Sequence, residues 1–188
     1  MRETTTGKLV RQRRKPTRLV PVSRFAVSGH KPTANFEAAR AFSSPFFDLY
    51  PTDRTLADAE ASCVSYFADS MVFEKSSFGP MALKRRPSRR FEADRETVTV
   101  WLMQSGSHSG IAGETPFHSR PGEVHLLDSG CALEVVAARR QIATLHLPHA
   151  VVGYDPRRHP PHLCLPVGTA AARVLSITLQ EVFAVLPD

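Results

Sequence analysis

Short apolar runs separated by glycine and proline dominate the middle of this chain. Residues 97–103 form the most apolar run, with the β-branched and aromatic side chains that are typical of strands. Pro121-Gly122 marks a turn, because proline fixes φ and glycine takes the positive φ that a tight turn needs. Residues 123–128 alternate in the manner of a strand with two different faces. Short strands at this spacing predict an antiparallel barrel over residues 70–147.

The same reasoning predicts the other strands. They are expected at residues 71–74, 81–86, 107–112, 115–119, 132–136, 142–147 and 162–166. An edge strand is expected within residues 19–27, which are close to a strand pattern. Residues 55–69 are ambiguous, because a strand from Cys63 to Phe67 is also plausible. The spacing of Leu56, Ala59 and Cys63 favours a helix there.

Three segments are predicted to be helical in addition. Residues 33–42 form a short helix with Thr33 as its N-cap candidate. Residues 149–154 form another, opened by a proline. The clearest helix spans residues 170–186, with Thr169 as its N-cap candidate. Spacings of three and four predict that one apolar stripe of this helix holds Ala171, Val174, Leu175, Thr178, Leu179, Val182 and Leu186.

Positive charge is concentrated at the N-terminus. The first 24 residues hold eight Lys and Arg against Glu3, a net charge of +7 in a chain whose total is +6. Residues 1–20 are therefore predicted to be a disordered basic tail, solvated rather than bound to phosphate. A second basic cluster, residues 85–90, is predicted to be a charged, solvated hairpin edge. The rest of the chain is close to neutral and gives no reason to expect a nucleic-acid surface.

The cysteines and the apolar runs narrow the class of protein further. Cys63, Cys131 and Cys164 lie far apart and form no CxxC motif, which favours small buried thiols and a reducing, cytoplasmic location. No apolar run approaches the ~18 residues of a membrane span, so no membrane partner is expected. The sequence shows neither a Ser/His/Asp or Cys/His signature nor a phosphate-binding glycine loop, so no catalytic residue is predicted.

The order of these elements resembles the N-terminal, cupin-like sensing and dimerisation domain of AraC-type transcription regulators. The resemblance is carried by residues 97–103, by Gly106 with the strand after it, and by residues 120–128. It continues through residues 145–149, which are similar to the Leu-x-[Ile/Leu/Val]-Pro-Arg sequence that enters a short helix in this family, with His149 at the arginine position. It covers residues 60–186.

The resemblance implies a mostly β fold with flanking helices, in which a cupin-like double-stranded β-helix (jelly-roll) barrel is followed by a C-terminal helix. It divides the chain into the basic tail, a helical or irregular lead-in at residues 21–60, and the sensing and dimerisation domain at residues 61–188. In the family, a separate C-terminal pair of helix-turn-helix units binds DNA. The sequence stops at Asp188, so that module is expected to be absent, and DNA would be a partner only indirectly or through it.

A small-molecule effector is expected inside the barrel, because barrel interiors combine apolar walls with a few polar groups. The candidate pocket residues lie on strands that are expected to face one another, and they are Trp101, Met103, Phe117, His125 and His146. The alternative for each of these side chains is that it only fills the core.

A homodimer is expected through the C-terminal helix. A second apolar set, which includes Ile177 and Phe183, widens the helix surface beyond the single face needed to dock on its own barrel. The dimerisation candidates are Val174, Ile177, Thr178, Glu181 and Phe183. Alternatively, the aromatic segment at residues 42–50 covers the second face within one chain.

A small metal-dependent cupin enzyme is the alternative to a binding module. The sequence from Pro121 to His125 resembles part of a second cupin motif, in which a histidine points to the metal. A catalytic metal needs three ligands from facing strands. The first motif, His-x-His followed by Glu, is missing, because His108 stands alone with Glu114 six residues on. No metal ligand and no cofactor are therefore predicted, and the metal content of the purified protein would separate the two classes.

Overall fold

The computed structural model describes residues 20–86 and 96–186, except for the side chain of Leu56. The predicted basic tail, apart from residue 20, and residues 87–90 of the second basic cluster lie outside the described residues. Within them, twelve strands form two antiparallel sheets, and three α-helices flank these sheets. The predicted mostly β fold with a C-terminal helix is therefore confirmed.

The larger sheet has seven strands. They are β1 (Val22–Val27), β3 (Ala61–Ala68), β4 (Met71–Phe78), β6 (Thr97–Ser105), β9 (Val124–Asp128), β11 (Arg140–Pro148) and β12 (His162–Leu165). Their spatial order is β1-β3-β4-β11-β6-β9-β12, so β1 and β12 are the edge strands. The central strand β11 pairs with β4 on one side and with β6 on the other.

The smaller sheet has five strands. They are β2 (Asp48–Tyr50), β5 (Met81–Arg85), β7 (His108–Ala112), β8 (Thr115–Ser119) and β10 (Leu133–Ala137). Their order is β2-β5-β10-β7-β8, with β2 and β8 at the edges. Side chains from both sheets meet in one core cluster, which includes Trp101 and Ile142 from the larger sheet and Leu83 and Val135 from the smaller one.

The helical prediction for residues 55–69 is wrong. Only Thr55–Ala57 form a single 3-10 turn, and Ala61–Ala68 form β3. This strand pairs with β1 on one side and β4 on the other, so two sets of inter-strand hydrogen bonds decide its conformation. A helical spacing of apolar residues carries no information about such partners, which are distant in sequence.

The lead-in segment belongs to the barrel. β1 pairs at the sheet edge as predicted, and α1 (Pro32–Ser43) places Phe36 and Ala39 in the core. The N-cap prediction for this helix is wrong: the cap is Lys31, which makes no side-chain hydrogen bond, and Pro32 occupies the first turn. A proline there has no N–H to leave unsatisfied, so the helix begins without a side-chain cap.

The C-terminal helix α3 (Ala170–Val185) covers the outer face of the larger sheet. Thr169 is its N-cap as predicted, since its side chain accepts a hydrogen bond from the Ala172 amide. The predicted stripe is rotated, however. Ala172, Leu179 and Phe183 are the buried residues of this helix, whereas Ala171, Val174 and Thr178 are exposed.

The short helix α2 (His149–Val152) follows β11, as predicted. None of the helices in the described part of the chain is long and apolar enough to cross a membrane.

Candidate ligand-binding site inside the barrel

A cavity of about 630 Å³ lies between the two sheets. Its walls come from β3, β4, β6 and β11 of the larger sheet, from β5, β7 and β10 of the smaller sheet, and from the segment between α1 and β2. Cavities of about 300–1,000 Å³ are the usual size for small-molecule sites. The space is therefore large enough for an organic ligand of moderate size.

The larger sheet supplies a polar wall. Alternate residues of a strand face the same side, and the register aligns Thr144 with Glu74 on β4 and with Trp101 on β6. The same pairing aligns His146 with Thr99. The polar residues of the larger sheet that line the cavity are Ser23, Ser65, Glu74, Ser76, Thr97, Thr99, Arg140, Thr144 and His146.

The smaller sheet supplies a wall of apolar and ionisable side chains. Met81, Leu83 and Val135 line the cavity from this side and are almost fully buried. The ionisable residues of this wall are Asp48, Lys84, Arg85 and His108. The His108 ring meets Trp101 edge to face with centroids 5.4 Å apart. A ligand between these walls would meet hydroxyl and ionisable groups on the larger sheet, and hydrocarbon together with Arg85 and His108 on the smaller sheet.

Among the charged residues that line the cavity, Arg140 is buried, and Arg85 and Glu74 are partly buried. Arg85 donates hydrogen bonds to the backbone oxygens of Asp128, at 2.9 Å, and Cys131, at 3.2 Å. Glu74 Oε2 accepts a hydrogen bond from Ser65 Oγ at 3.2 Å, and burial raises the pKa of this carboxyl group. Arg140 has 4% exposure, and its Nη1 has no hydrogen-bond partner among the described residues.

The buried histidines of the cavity are neutral. Burial lowers the pKa of His108 to about 3 and that of His146 to about 4, and the nearby charges of Arg140 and Arg85, respectively, act in the same direction. His146 Nδ1 lies 3.2 Å from Thr99 Oγ1. Both ring nitrogens of His108 are without a hydrogen-bond partner among the described residues.

The structure brings only part of the predicted pocket set to the cavity. Trp101 and His146 line it. Met103 is fully buried in the core, and Phe117 and His125 lie in a neighbouring aromatic cluster rather than in the lining. Whether any of them contacts a ligand stays a prediction.

Arg140 and Glu74 are among the charged residues of the wall that the prediction missed. The strand was predicted to begin at residue 142, yet β11 begins at Arg140, which pairs with Phe78. A period of two that links Arg140 to Ile142, Thr144 and His146 was the available signal.

Beside the cavity, His125 lies in a buried cluster with another histidine and with acidic and thiol groups. Its Nδ1 is 2.9 Å from His162 Nε2, and the two rings stack. Its Nε2 is 3.6 Å from Glu123 Oε2 and 3.9 Å from Cys164 Sγ. The three ligand atoms of Glu123, His125 and Cys164 lie within 4.8 Å of one another. An N, O and S donor set of this kind suits zinc.

The dimerisation candidates divide between two faces of α3. Val174, Ile177, Thr178 and Glu181 are exposed. Phe183 is instead buried against its own barrel, with ring centroids 6.4 Å from Tyr66 and 6.3 Å from Phe73. The aromatic segment before β2 does not cover the exposed face of the helix, because Phe47 and Leu49 pack in the core cluster between the sheets.

These features define a cupin-like jelly-roll barrel. The chain is similar to the crystal structure of the AraC-like transcriptional activator CuxR, with a TM-score of 0.68 and 16% sequence identity. The match covers 86% of this chain and 60% of that chain, so the present sequence spans about 60% of the length of CuxR. The predicted resemblance to AraC-type regulators is confirmed at the level of the fold.

Two further matches are to cupin domains, and both are weaker. The Schizosaccharomyces pombe Cnp3 cupin domain has a TM-score of 0.38 at 11% identity, covering 50% of this chain and 72% of that chain. A Cupin 2 conserved barrel domain protein from Salinispora arenicola has a TM-score of 0.38 at 15% identity, covering 58% of this chain and 96% of that chain. No family model and no curated protein matches the sequence.

Proposed function

We propose that this chain is a ligand-sensing and dimerisation module of an AraC-type transcription regulator. The cavity of about 630 Å³ carries the proposal. Protein interiors are normally close-packed, with few voids larger than a water molecule, so a barrel with a purely structural role would fill this space with side chains. An interior that is open, partly apolar and supplied with several polar groups is what a small-molecule site requires.

The likeness to CuxR supports the regulatory part of the proposal. CuxR is described as an AraC-like transcriptional activator, and its fold matches most of this chain. Regulation of transcription therefore comes to this chain as a proposal, together with a small-molecule effector as the signal.

A pair of neighbouring serines offers a test of the ligand site. Ser76 lines the cavity, whereas Ser77 follows it on β4 and belongs to the other face. Ser76→Phe fills the cavity, and Ser77→Phe is the matched control. In a thermal-shift screen of small molecules, a ligand at about 100 times its Kd stabilises the native state by about 2.7 kcal/mol.

Compounds that raise the melting temperature of the wild type and of Ser77→Phe are expected to leave Ser76→Phe unchanged. Compounds that stabilise all three proteins equally would place binding outside the cavity. A screen without any stabilising compound would count against a sensing role.

The second half of the proposal is a homodimer through the exposed face of α3. Val174, Ile177 and Val185 are 63%, 56% and 80% exposed, which is a large apolar area for one face of a surface helix. A two-fold related copy is the commonest cover for such a face. Phe183 is not part of the proposed dimer surface, because its side chain already packs on the larger sheet of its own chain.

Sedimentation velocity at tens of micromolar tests this arrangement. The wild type is expected to be a dimer, and Val174→Glu with Ile177→Glu should give a folded monomer. Val136→Glu, at an exposed valine of the smaller sheet, is the control and should remain dimeric. A wild type that is monomeric at this concentration contradicts the proposal.

The second candidate function is a small metal-dependent cupin enzyme, and the group formed by Glu123, His125 and Cys164 favours it. His162 would orient His125 through its other ring nitrogen, as partners of metal-binding histidines do. Elemental analysis of the purified protein distinguishes the functions. A stoichiometric metal ion in the wild type that is lost in Cys164→Ser would support the enzyme, and a metal-free, ligand-binding wild type would support the sensor.

A further inference from the structure

Arg140 is a buried cation without a counter-charge. Its side chain projects from the first residue of β11 into the cavity, where Nη1 has no hydrogen-bond partner among the described residues. The guanidinium lies over the ring of Phe78, with its Cζ atom 5.5 Å from the ring centroid. Burial alone lowers its pKa to about 10, and no carboxylate opposes that effect. A guanidinium is costly to bury in this way unless something else pairs with it.

Two other arginines show how this chain satisfies guanidinium groups elsewhere. Arg85, partly buried in the cavity wall, donates to two backbone carbonyl oxygens. Arg139, the neighbour of Arg140, is half exposed and pairs with the carboxylates of Asp58 and Glu60. Arg140 has neither kind of partner in the described part of the chain, so its donors remain available to a molecule in the cavity.

The buried carboxyl group of the cavity cannot serve as the missing partner. Register pairs Glu74 with Thr144 and Arg140 with Phe78, so the two charged residues are four positions apart along β4 and β11. At about 3.3 Å per residue, that separation is about 13 Å between their backbone positions. Glu74 is also occupied by its hydrogen bond from Ser65.

His108 provides a second donor at the same end. Its ring is almost fully buried, and neither ring nitrogen has a partner among the described residues. Gly106, two residues before it, lies against the Arg140 backbone, since a Cβ added there would be 2.8 Å from the Arg140 Cα. A neutral imidazole carries one N–H donor. Arg140 and His108 therefore offer hydrogen-bond donors without an acceptor, beside a wall of Trp101, Ile142 and Val135.

We infer that the ligand of the barrel is an organic acid, whose carboxylate is bound by Arg140 and His108 and whose apolar part occupies the cavity. The inference rests on the proposed ligand-sensing function and adds the chemical class of the ligand. Arginine binds carboxylates with a planar, two-pronged set of donors, and such charge-assisted hydrogen bonds are about twice as strong as neutral ones.

The test compares two probes that differ in charge and little in shape, naphthalene-2-carboxylate and naphthalene-2-carboxamide. Isothermal titration calorimetry measures the Kd of each for the wild type, Arg140→Met and Arg139→Met. The wild type is expected to bind the carboxylate about tenfold more tightly or better, because a hydrogen bond to a charged group contributes about 1.5–3 kcal/mol.

Arg140→Met should abolish this preference while the amide binds as before, and Arg139→Met should retain it. Equal affinities of the two probes for the wild type would overturn the inference, and so would a preference that survives in Arg140→Met. This wild-type comparison decides the question even where a variant does not fold.

The same titrations separate this inference from the proposed function. Binding of both probes with equal affinity refutes the acid-binding site and leaves a ligand-binding barrel. Binding of neither probe, together with no stabilising compound in the thermal-shift screen, refutes the sensing function itself.

Discussion

Replacing Arg140 with methionine should make the unliganded protein more stable. A pKa lowered to about 10 by burial corresponds to roughly 3 kcal/mol of unfavourable free energy for the charged form, at about 1.4 kcal/mol per pKa unit. The contact with the Phe78 ring returns about 1–2 kcal/mol of this. Methionine keeps the apolar contacts made by the methylene groups of the arginine side chain and removes the charge. The net expectation is a gain of about 1–2 kcal/mol in the free energy of unfolding.

Urea denaturation followed by circular dichroism measures this gain in the free energy of unfolding. The slope of that free energy against urea concentration, the m value, should stay the same in the variant. For a protein of this size it corresponds to a rise in Tm of about 2–8 °C. The penalty is present at every pH below about 10, because the side chain is charged in both states there, and it should diminish only as the pH rises beyond that value.

Arg139→Met is the matched control, with the opposite sign expected. Arg139 loses its contacts with Asp58 and Glu60, and a half-exposed pair of this kind contributes about 0–1 kcal/mol. If Arg140→Met is destabilising by more than 1 kcal/mol, the guanidinium makes stabilising contacts in the unliganded barrel, and the reasoning that it waits for a ligand is wrong.

Three further predictions concern the stability of the fold. Phe183→Ala should cost about 3–5 kcal/mol in the free energy of unfolding, whereas Gln180→Ala on the same helix should cost less than about 0.5 kcal/mol by the same urea titration, because only the first is buried. Neutral His108 and His146 have pKa values of about 3 and 4 in the native state against 6.5 for a free side chain, so the native state binds fewer protons. The free energy of unfolding should therefore be independent of these two histidines above pH 6.5. It should fall by about 1.4 kcal/mol per pH unit for each histidine as the pH drops from 6.5 toward 4, and a melting temperature that is flat over that range would contradict this. Gly110→Ala should leave little folded protein in a solubility and dichroism assay, since the added Cβ would lie 2.1 Å from the Glu134 carbonyl oxygen; a soluble variant with the wild-type melting temperature would show that β7 can move away from β10.

The sequence predicted the central strands well because their signals are local. Residues 97–103 carry apolar side chains on both faces of the predicted strand. In the structure, Trp101 and Met103 of β6 belong to the core cluster between the sheets, whereas Val100 and Leu102 pack in a second cluster with Leu179 and Phe183 of α3. The Pro121-Gly122 turn and the alternation after it also depend on neighbouring residues alone. β3 was missed because its conformation depends on pairing with β1 and β4, which no local spacing encodes.

The rotation of α3 could not be read from its apolar spacing. Valine, isoleucine and leucine occur around most of its circumference, so several stripes fit a period of 3.6 residues. Packing against Tyr66 and Phe73 selects the face that carries Phe183. The same limit applies to the site, where Trp101 and His146 follow from strand alternation, whereas Arg140 depends on where β11 begins.

The edges of the two sheets bear on how copies of this protein can associate. An exposed edge strand is a template for adding strands from other molecules, which leads to aggregation. Proline interrupts such addition, because it lacks an N–H to donate. All four edge strands carry this protection: Pro116 lies within β8, Pro21 precedes β1, Pro51 follows β2, and β12 is flanked by Pro161 and Pro166. Growth of the barrel into open-ended, fibre-like stacks by strand addition at these edges is thereby disfavoured.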